Sequence, residues 1–321
     1  MRTLCFHTYG EASDVLQLDE VAIPNPRAGH IRVRVSACGL NPADWGLCQG
    51  LFASDLPHGI GLDVSGTVDA LGEDVTDVRV GDLVLGSADF INYPSAGASE
   101  YAIMNYWAPV PEGLDLVEAA ALPAAVETAF RSLESLAVTA DQTILIHGAG
   151  TTVGFAAVQI ALMRGARVIA TSGETFAERL RALGATVTSY GNGMVERVLE
   201  LAGGTPDLIL DTAPVSDALP DLVKIAGGDP RRVLTVTHFA AAKDLGIRDS
   251  FEDIPFRYEA VTFRYDVLGD FARLAADGRF SVPVARTFAL EDWRAALDLS
   301  QSGHARGKLV ILPASADAAN R

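Results

Sequence analysis

The pattern of apolar and polar residues changes along the chain and predicts more than one domain. In residues 1 to about 110, apolar and polar residues alternate, most strictly in Ile31–Val35, which is typical of strands with one buried face. Further strands are predicted at Leu16–Val21, at Val64–Leu71 and after the turn at Asp77. No helix-length pattern separates these strands, so we expect a folded-over, barrel-like antiparallel domain.

Near Leu116 the pattern changes to alternating helices and strands. Helices are predicted at Val117–Leu122 and Ala124–Leu136, with Pro123 between them. Alternating β and α elements predict a doubly wound parallel sheet with helices on both faces. The elements predicted after Asp141 are strands at Thr143–His147, Arg167–Thr171, Asp207–Asp211, Arg232–Val236 and Tyr258–Phe263, and helices from Val153, at Phe176–Leu183 with Gly184 as its end, and at Leu219–Ala226.

The last forty residues change pattern once more. Val284–Phe288 is predicted to be extended, Glu291–Ser300 helical and Lys308–Leu312 a strand. We expect this last strand to return to the first domain, so that the α/β domain is an insertion. The predicted β-rich domain is therefore residues 1–122 with 280–321, and the predicted dinucleotide-binding domain is residues 123–279.

Composition and charge narrow the functional classes. With 25 Lys and Arg against 41 Asp and Glu, the net charge is −16, which disfavours binding to nucleic acid or to an anionic membrane. No apolar run approaches the roughly 20 residues of a membrane helix, and the N-terminus has no signal pattern. Cys5, Cys38 and Cys48 show neither metal-binding nor disulfide spacing. We therefore expect a cytoplasmic protein that binds a small molecule.

The segment Asp141–Ala161 is the strongest candidate for a binding site. A buried strand runs into a turn of small residues and then into a helix. This layout binds a dinucleotide pyrophosphate, because the backbone can approach the phosphates and the helix N-terminus offers free N–H groups. The strict G-x-G-x-x-G pattern is not met, since Thr151 stands at the middle glycine of Ala149–Gly154. By itself the turn fits an ordinary buried βα unit equally well.

Several segments form an ordered set along almost the whole chain. They are Cys38–Asp44, Gly61–Gly66, Arg79–Val84, His147–Ala161, Arg181–Ala185 and Gly303–Lys308. As a set they resemble the medium-chain dehydrogenase/reductase superfamily, in its zinc-independent, quinone oxidoreductase-like branch. The resemblance implies a Rossmann doubly wound parallel sheet inserted into a β-rich GroES-like barrel domain, and assembly as a homodimer.

The resemblance also implies that no zinc is used. Zinc-dependent relatives hold the metal with a cysteine at the position of Asn41 and a histidine at the position of Leu62. Catalytic zinc needs three protein ligands in a fixed geometry, and two of them are missing here. Cys38 is interpreted as a buried small residue and not as a ligand.

Three residues are expected to act in catalysis because of the resemblance. Asn41 and Asp44 would lie beside the nicotinamide ribose, where an amide and a carboxylate suit hydroxyl groups. The alternative for both is turn chemistry, and it weighs more for Asp44. Thr128 matches a family threonine near the nicotinamide, and its alternative role is a helix hydroxyl bonded to the preceding turn.

The cofactor would lie along the α/β domain. Gly150, Thr151, Thr152 and Val153 are expected against the pyrophosphate, with the threonine hydroxyls donating hydrogen bonds to it. His147 is interpreted as a core histidine.

The residues at the end of the second strand of this sheet are expected to decide between NAD(H) and NADP(H). An acidic residue there would bind the ribose hydroxyls of NAD, whereas small or basic residues admit the phosphate of NADP, and Ser172 and Gly173 stand there. Tyr190 matches a family tyrosine at the adenosine phosphate, and Arg179 is expected to offset Glu174. Although the family's usual lysine or arginine is absent, NADP(H) is predicted over NAD(H).

Three further residues are assigned to the cofactor by position. His238 and Phe239 follow a predicted strand at the carboxyl edge of the sheet, and their backbone is expected to face the carboxamide. Lys308 resembles a position near the cofactor, although an exposed lysine in a turn is the commoner case.

No proton donor is identified. Relatives often have tyrosine or lysine where this chain has Gly46; His58, Tyr93 and Cys48 are further candidates, and the loop 90–95 is expected to cover a flat substrate. A quinone can take its proton from solvent, and so can the enolate of an activated alkene. We therefore hypothesise an NADPH-dependent reductase of a quinone or an α,β-unsaturated carbonyl compound. The alternatives are a dedicated biosynthetic enoyl or ketone reductase and a non-catalytic NADPH-binding protein.

Overall fold

The computed structural model describes residues 1–215, 217–251 and 263–313. The strands, in chain order, are β1 (Arg2–Phe6), β2 (Leu16–Glu20), β3 (Ile31–Leu40), β4 (His58–Gly59), β5 (Asp63–Leu71), β6 (Leu83–Ala88), β7 (Tyr101–Pro109), β8 (Thr143–His147), β9 (Arg167–Thr171), β10 (Thr186–Thr188), β11 (Leu208–Asp211), β12 (Val233–Thr235), β13 (Arg248–Asp249), β14 (Val284–Ala289) and β15 (Lys308–Leu312). The α-helices are α1 (Ala12–Val15), α2 (Pro42–Cys48), α3 (Leu116–Ala119), α4 (Pro123–Ser135), α5 (Thr152–Met163), α6 (Glu174–Leu183), α7 (Met194–Ala202), α8 (Leu219–Ile225), α9 (Phe239–Leu245), α10 (Leu268–Ala276) and α11 (Trp293–Gln301). None of these described helices is long and apolar enough to span a membrane.

The chain divides into two compact units, which we call the barrel unit and the sheet unit. The barrel unit is Met1–Ala124 together with the segment that begins at Tyr265, and the sheet unit is Ala125–Arg264. The sequence suggested boundaries after residue 122 and before residue 280. The second boundary comes earlier because α10 packs against β7, and the ring of Tyr265 lies 5.1 Å from that of Tyr106.

The barrel unit contains a mainly antiparallel six-stranded sheet in the order β14-β15-β3-β5-β6-β7. Strand β3 also pairs with β7, so β3, β5, β6 and β7 close on themselves. The alternation in Ile31–Val35 buries Ile31, Val33 and Val35 while Arg34 is exposed, as a half-buried strand requires. Strand β15 pairs with β3, which confirms that the last strand returns to the first domain.

Two features of the barrel unit differ from the sequence prediction. The strands do not follow one another without helices, because the short helix α2 separates β3 from β4. Its seven residues include a glycine, and so short a segment gives no recognisable helical period. Strand β1, which was not predicted, lies in a separate sheet of order β2-β1-β4.

The sheet unit is a parallel six-stranded sheet in the order β10-β9-β8-β11-β12-β13. Numbered from its own first strand, this is the 3-2-1-4-5-6 order of the Rossmann fold, which confirms the predicted fold class. Strands β8 and β9 have the bounds that the sequence predicted, because strands covered on both faces are continuously apolar. The strand predicted at Tyr258–Phe263 falls almost entirely on residues 252–262, outside the described residues.

Parallel strands present their carboxyl ends at one edge, and this edge of the sheet unit is polar. Strands β9, β8, β11 and β12 are consecutive neighbours, and they end at Thr171, His147, Asp211 and Thr235. The register pairs Asp211 with both His147 and Thr235. Ligands of such sheets bind at this edge, where the strand order reverses between β8 and β11.

Candidate functional site

A buried group of three polar side chains lies in the barrel unit. Lys308 Nζ donates to Asp63 Oδ2 at 2.7 Å and to Asn41 Oδ1 at 2.5 Å. The amide nitrogen of Asn41 donates to Asp63 Oδ2 at 3.1 Å, and Asp63 Oδ1 accepts the N–H of Ala124 at 2.9 Å. We call Asn41, Asp63 and Lys308 the Asp63 cluster. The side chains of Lys308 and Asp63 are 1% and 0% exposed, so each charge depends on the other for compensation.

The strands of the barrel bring the Asp63 cluster together. Lys308 begins β15 and Asp63 begins β5, and both strands pair with β3, which ends just before Asn41. Gly39 faces Asp63 in the register, and a Cβ at this position would lie 2.7 Å from Cε of Lys308. A glycine therefore lets the lysine side chain cross β3. The alternative of an exposed turn lysine at residue 308 is wrong.

Asp44 is hydrogen-bonded to the backbone of Asn41, a member of this cluster, and both of its carboxylate oxygens accept backbone N–H groups. Its Oδ1 accepts the N–H groups of Gly61 and Leu62, both at 2.9 Å, and its Oδ2 accepts the N–H of Asn41 at 2.6 Å. The side chain is fully buried, and this burial raises the pKa of Asp44 to about 7. Both oxygens are occupied by backbone donors, which argues against the predicted contact between Asp44 and a ribose and favours a positioning role.

The residues at the positions of the zinc ligands do not fit zinc. Asn41 and Leu62 replace a thiolate and an imidazole, and the amide of Asn41 is already bonded to Lys308 and Asp63. A fixed ammonium group thus stands beside the available carboxylate, where it would repel a metal ion. Burial raises the pKa of the Cys38 thiol well above its ordinary value, which agrees with its interpretation as a small buried residue.

The turn between β8 and α5 has the geometry of an anion site. Gly148 has a φ of +78°, and a Cβ there would lie 2.6 Å from the nitrogen of Ala213. A Cβ on Gly154 would lie 2.6 Å from Oγ1 of Thr212. The N–H groups of Thr152 and Val153, at the start of the 12-residue α5, have no hydrogen-bond partner within the described residues. Unpaired donors at a helix N-terminus fit a pyrophosphate.

Thr151 explains the departure from the glycine pattern. Its Oγ1 accepts the N–H of Gly154 at 3.0 Å, which makes it the N-cap of α5, and its hydroxyl donates to Oγ1 of Thr212 at 3.1 Å. Thr212 in turn donates to the carbonyl groups of His147 and Gly148 at 2.9 Å each. The hydroxyl of Thr151 therefore fixes the turn, and this argues against its predicted direct bond to phosphate. The N–H groups and the hydroxyl of Thr152 remain available.

The polar row at the carboxyl edge is held by its own hydrogen bonds. Thr171 Oγ1 accepts the N–H of Gly148 at 3.1 Å and lies 2.7 Å from Nδ1 of His147. Asp211 Oδ2 accepts the hydroxyl of Thr235 at 2.8 Å. Burial lowers the pKa of His147 and raises that of Asp211. His147 is thus a satisfied core histidine, as predicted, and it braces the turn at Gly148.

The two residues that directly follow β9 are not acidic. Ser172 Oγ donates to the carbonyl of Gly173 at 2.9 Å, and a Cβ on Gly173 would lie 3.7 Å from the hydroxyl of Tyr190. The ring of Tyr190 is 60% exposed. Arg197 holds the loop of Tyr190 through the carbonyl groups of Ser189 and Asn192, at 3.0 and 2.8 Å.

The remaining predicted cofactor residues of the sheet unit lie as follows. Arg179 stacks over the ring of Phe155 at 5.1 Å. His238 is the N-cap of α9, and its Nε2 donates to the carbonyl of Ala213 at 3.1 Å. The ring of Phe239 packs against that of Phe251 at 5.5 Å.

Thr128 is engaged within its own helix. Its hydroxyl donates to Glu127 Oε2 at 3.4 Å, a carboxylate that also receives the guanidinium of Arg131. This bond goes to the adjacent side chain and not to the preceding turn, so the expected place of Thr128 near the nicotinamide stays a prediction.

The three proton-donor candidates all lie in the barrel unit, and a hydrogen bond or burial restrains the protons of His58 and Cys48. The Nδ1–H of His58 donates to the carbonyl of Gly59 at 2.7 Å, and burial lowers the pKa of this histidine. Burial raises the pKa of Cys48 to about 12. The hydroxyl of Tyr93 accepts the N–H of Arg27 at 3.2 Å. Phe90 and Tyr93 are buried, and the expected cover of a substrate by this loop stays a prediction.

The sequence missed the residues that hold these sites together. Asp63 and Thr212 were not singled out as functional, and neither was Arg197. Asp63 could have been found from the sequence, because it lies in the segment Gly61–Gly66 that carries the resemblance, directly after Leu62. Thr212 directly follows a predicted strand at the sheet's carboxyl edge. The role of Arg197 depends on a loop geometry that leaves no sequence signal.

Two family descriptions match the chain. "Alcohol dehydrogenase GroES-like domain" matches residues 27–111, and "Zinc-binding dehydrogenase" matches residues 183–311. The second name denotes a family, and the residues at the ligand positions of this chain do not fit that metal.

Curated relatives and solved structures give further similarities. The chain is 34% identical to quinone oxidoreductase of Homo sapiens over 179 residues, which is 54% of this chain and 53% of that protein. It is 36% identical to erythronolide synthase EryA2 of Saccharopolyspora erythraea over 205 residues, 61% of this chain and 6% of that one. The alignment with the quinone oxidoreductases thus spans about half their length. The structure of the quinone oxidoreductase from Coxiella burnetii superposes with a TM-score of 0.80 and 27% identity, over 98% of this chain and 99% of that chain.

Proposed function

The chain belongs to the medium-chain dehydrogenase/reductase superfamily, and from this premise we propose that it is a zinc-independent, NADPH-dependent oxidoreductase. It transfers hydride to a quinone or an α,β-unsaturated carbonyl compound. The observation that carries the proposal is the turn from Gly148 to Gly154, which offers unpaired N–H groups at the switch point of a Rossmann sheet. When bound, the nicotinamide supplies the hydride.

The sheet unit binds the pyrophosphate through its backbone. The N–H groups of Thr152 and Val153 and the hydroxyl of Thr152 are the donors that this chain offers. Thr151 and Thr212 do not contact the phosphates in this proposal; they hold the turn in the conformation that presents the donors. Because these donors are fixed before binding, the chain loses little conformational entropy when the anion arrives.

Three observations support NADPH over NADH. The two residues that directly follow β9, Ser172 and Gly173, carry no carboxylate that would bind the 2′-hydroxyl of NAD. The hydroxyls of Ser172 and Tyr190 are both close to Gly173. The loop of Tyr190 is held by Arg197, so the tyrosine is presented at a defined place. Glu174 opposes the selection of a phosphate, and the discrimination is therefore expected to be moderate.

The barrel unit contributes a fixed polar group, the Asp63 cluster, whose residues do not fit a catalytic metal. Asn41 is oriented by Lys308 and Asp63; it is the half-buried member of this cluster, and we infer that it is the residue that meets the nicotinamide ribose. Lys308 and Asp63 are positioning residues in this proposal, because both are fully buried.

The proposed acceptors need no proton donor from the protein, and no dedicated donor is identified in this chain. The Nδ1–H of His58 is bonded to a carbonyl, and Cys48 holds its proton tightly; the hydroxyl of Tyr93 accepts a hydrogen bond in which its own proton is not used. A quinone reduced by hydride, or the enolate formed from an enone, can take its proton from water. The polarised oxygen of both acceptors suits a site that stabilises charge by fixed dipoles.

The test is steady-state oxidation of NADPH and of NADH with a panel of quinones and enones. We expect turnover with at least one acceptor class and a higher kcat/KM with NADPH than with NADH. Tyr190→Phe should lower this preference, whereas Tyr9→Phe, an exposed tyrosine of the barrel unit, should leave it unchanged. Binding of NADPH without turnover on any acceptor would support the non-catalytic alternative, and failure to bind either nucleotide would overturn the proposal.

A dedicated biosynthetic enoyl or ketone reductase is the second candidate. It is supported by the alignment with EryA2, and by 31% identity over 317 residues with the spectinabilin polyketide synthase system protein NorB of Streptomyces orinoci, which covers 91% of this chain and 14% of that protein. This candidate predicts poor kcat/KM with every simple quinone and enone. A thioester of an α,β-unsaturated acid added to the panel distinguishes the two.

A further inference from the structure

The hairpin of β1 and β2 carries a group of potential metal ligands outside the proposed reductase site. Strand β1 pairs antiparallel with β2, and the register places Thr3 opposite Asp19 and Cys5 opposite Gln17. Directly opposed residues share a face of the sheet, and so do alternate residues of one strand. The side chains of Cys5 and Asp19 therefore project from the same face. His7, two residues after Cys5, lies with them.

The ligand atoms converge on one carboxylate oxygen. Sγ of Cys5 lies 3.3 Å from Oδ2 of Asp19, and Nε2 of His7 lies 2.7 Å from the same oxygen. All three ligand atoms lie within 4.8 Å of one another. Within the described residues, this is the one place where three such side chains come so close. The sequence prediction considered the cysteines alone and therefore found no metal spacing.

We propose that Cys5, His7 and Asp19 bind a divalent transition-metal ion, Zn²⁺ in the first instance, with water as the fourth ligand. Thiolate, imidazole and carboxylate form a donor set that zinc accepts. Bonds of about 2.0–2.3 Å to a tetrahedral ion place neighbouring ligand atoms about 3.3–3.8 Å apart. The distance from Cys5 to Asp19 already meets this range, and the His7 ring needs to move outward by about half an ångström.

The hydrogen bonds of this group show what the ion would replace. The thiol of Cys5 donates a hydrogen bond to Oδ2 of Asp19, and Nε2 of His7 is hydrogen-bonded to the same oxygen. A metal ion at the centre takes the place of these protons and is attracted to the same carboxylate. Burial raises the pKa of Cys5 to about 12, so the thiol is protonated without metal and must release its proton on binding. The side chain of His7 is 50% exposed and leaves a path from solvent.

Titration of the chelator-dialysed, tag-free, full-length protein with CoCl₂ tests the proposal. Four-coordinate Co²⁺ bound by a thiolate gives a sulfur-to-cobalt charge-transfer band and intense visible d–d bands. We expect one equivalent of Co²⁺ to produce both bands and ZnCl₂ to displace it. Cys5→Ser should abolish the charge-transfer band. His7→Ala should weaken apparent binding by at least about tenfold, since even outer partners of a metal site contribute about 10–100-fold.

Two matched variants serve as controls. Cys48→Ser removes another buried thiol, and His304→Ala removes another exposed histidine; neither should change the bands. The proposal is overturned if the wild-type protein gives no charge-transfer band, or if the band survives in both Cys5→Ser and His7→Ala. Should Cys5→Ser fail to fold, the comparison of His7→Ala with His304→Ala decides, because both of these side chains are exposed.

Discussion

Replacing Lys308 by methionine should destabilise the barrel unit by about 3–5 kcal/mol. The ammonium group lies 2.7 Å from Asp63 Oδ2, and the two side chains are 1% and 0% exposed. Methionine has a similar length and leaves little cavity, so the expected loss comes from a buried carboxylate without its counter-charge. Asp63 retains two donors, from Ala124 and Asn41, which places the loss near the lower end of the range.

The double variant Lys308→Met/Asp63→Asn separates the charge from the packing. An amide at residue 63 can still accept the N–H of Ala124. Its NH₂ group then faces the NH₂ group of Asn41, and it can donate to Oδ1 of Asn41 once the Asn41 amide, which has lost its lysine donor, turns over. We therefore expect the double variant to be more stable than Lys308→Met alone, with a coupling energy of about 1–3 kcal/mol in the mutant cycle.

Urea unfolding followed by tryptophan fluorescence measures this loss. The three tryptophans, Trp45, Trp107 and Trp293, all lie in the barrel unit, so the signal reports the unit that carries the change. Arg273→Met is the control, since Arg273 forms an ion pair with Asp270 in the same unit but on the surface, where ion pairs contribute little. The reasoning is refuted if Lys308→Met lies within about 1 kcal/mol of wild type, or if the double variant loses the sum of the single losses.

Other predictions concern Asp44 and the pyrophosphate turn. Because burial raises the pKa of Asp44 from 3.8 to about 7, the folded state keeps a proton that the unfolded chain releases. The free energy of unfolding should therefore fall as the pH rises through this interval. Urea titrations at stepped pH measure this dependence, and Asp44→Asn should reduce the slope of the unfolding free energy against pH. An unchanged slope would contradict the assignment. Thr151→Val should cost about 1 kcal/mol by removing the N-cap bond to Gly154, measured as a lower thermal midpoint by circular dichroism, and Thr152→Val, which removes no such bond, should not. Gly154→Ala should cost about 1–3 kcal/mol by overpacking against Thr212 and weaken NADPH binding in a fluorescence titration; unaltered affinity would show that the turn does not hold the cofactor.

The fold was largely predictable because its strands carry strong periodic signals. The apolar run Thr143–His147 and the alternation in Ile31–Val35 both report local burial, which the chain expresses residue by residue. Short elements were missed, among them α2, β10 and β13. A segment of two to seven residues has too few side chains to establish a period, and its conformation is set by the neighbours it packs against.

The site was predictable only where function depends on the backbone. The turn at Gly150–Gly154 was located from its small residues. Such residues are needed where the backbone comes close to other atoms, and this requirement is visible in the sequence. The hydrogen bonds of Asp44 were not predictable, because a sequence does not show that Gly61 and Leu62 direct their N–H groups at its carboxylate.

The sequence by itself determined the two kinds of unit, the βα alternation and the position of the small-residue turn between β8 and α5, because each of these arises from local patterns of burial and backbone freedom. Tertiary structure alone decided that Lys308 is buried beside Asp63, 245 residues away along the chain, and that Thr151 braces a turn through Thr212. It also decided that Cys5, His7 and Asp19 share one face of a hairpin. Such partnerships depend on strand register, and a shift of one residue would turn every side chain to the opposite face.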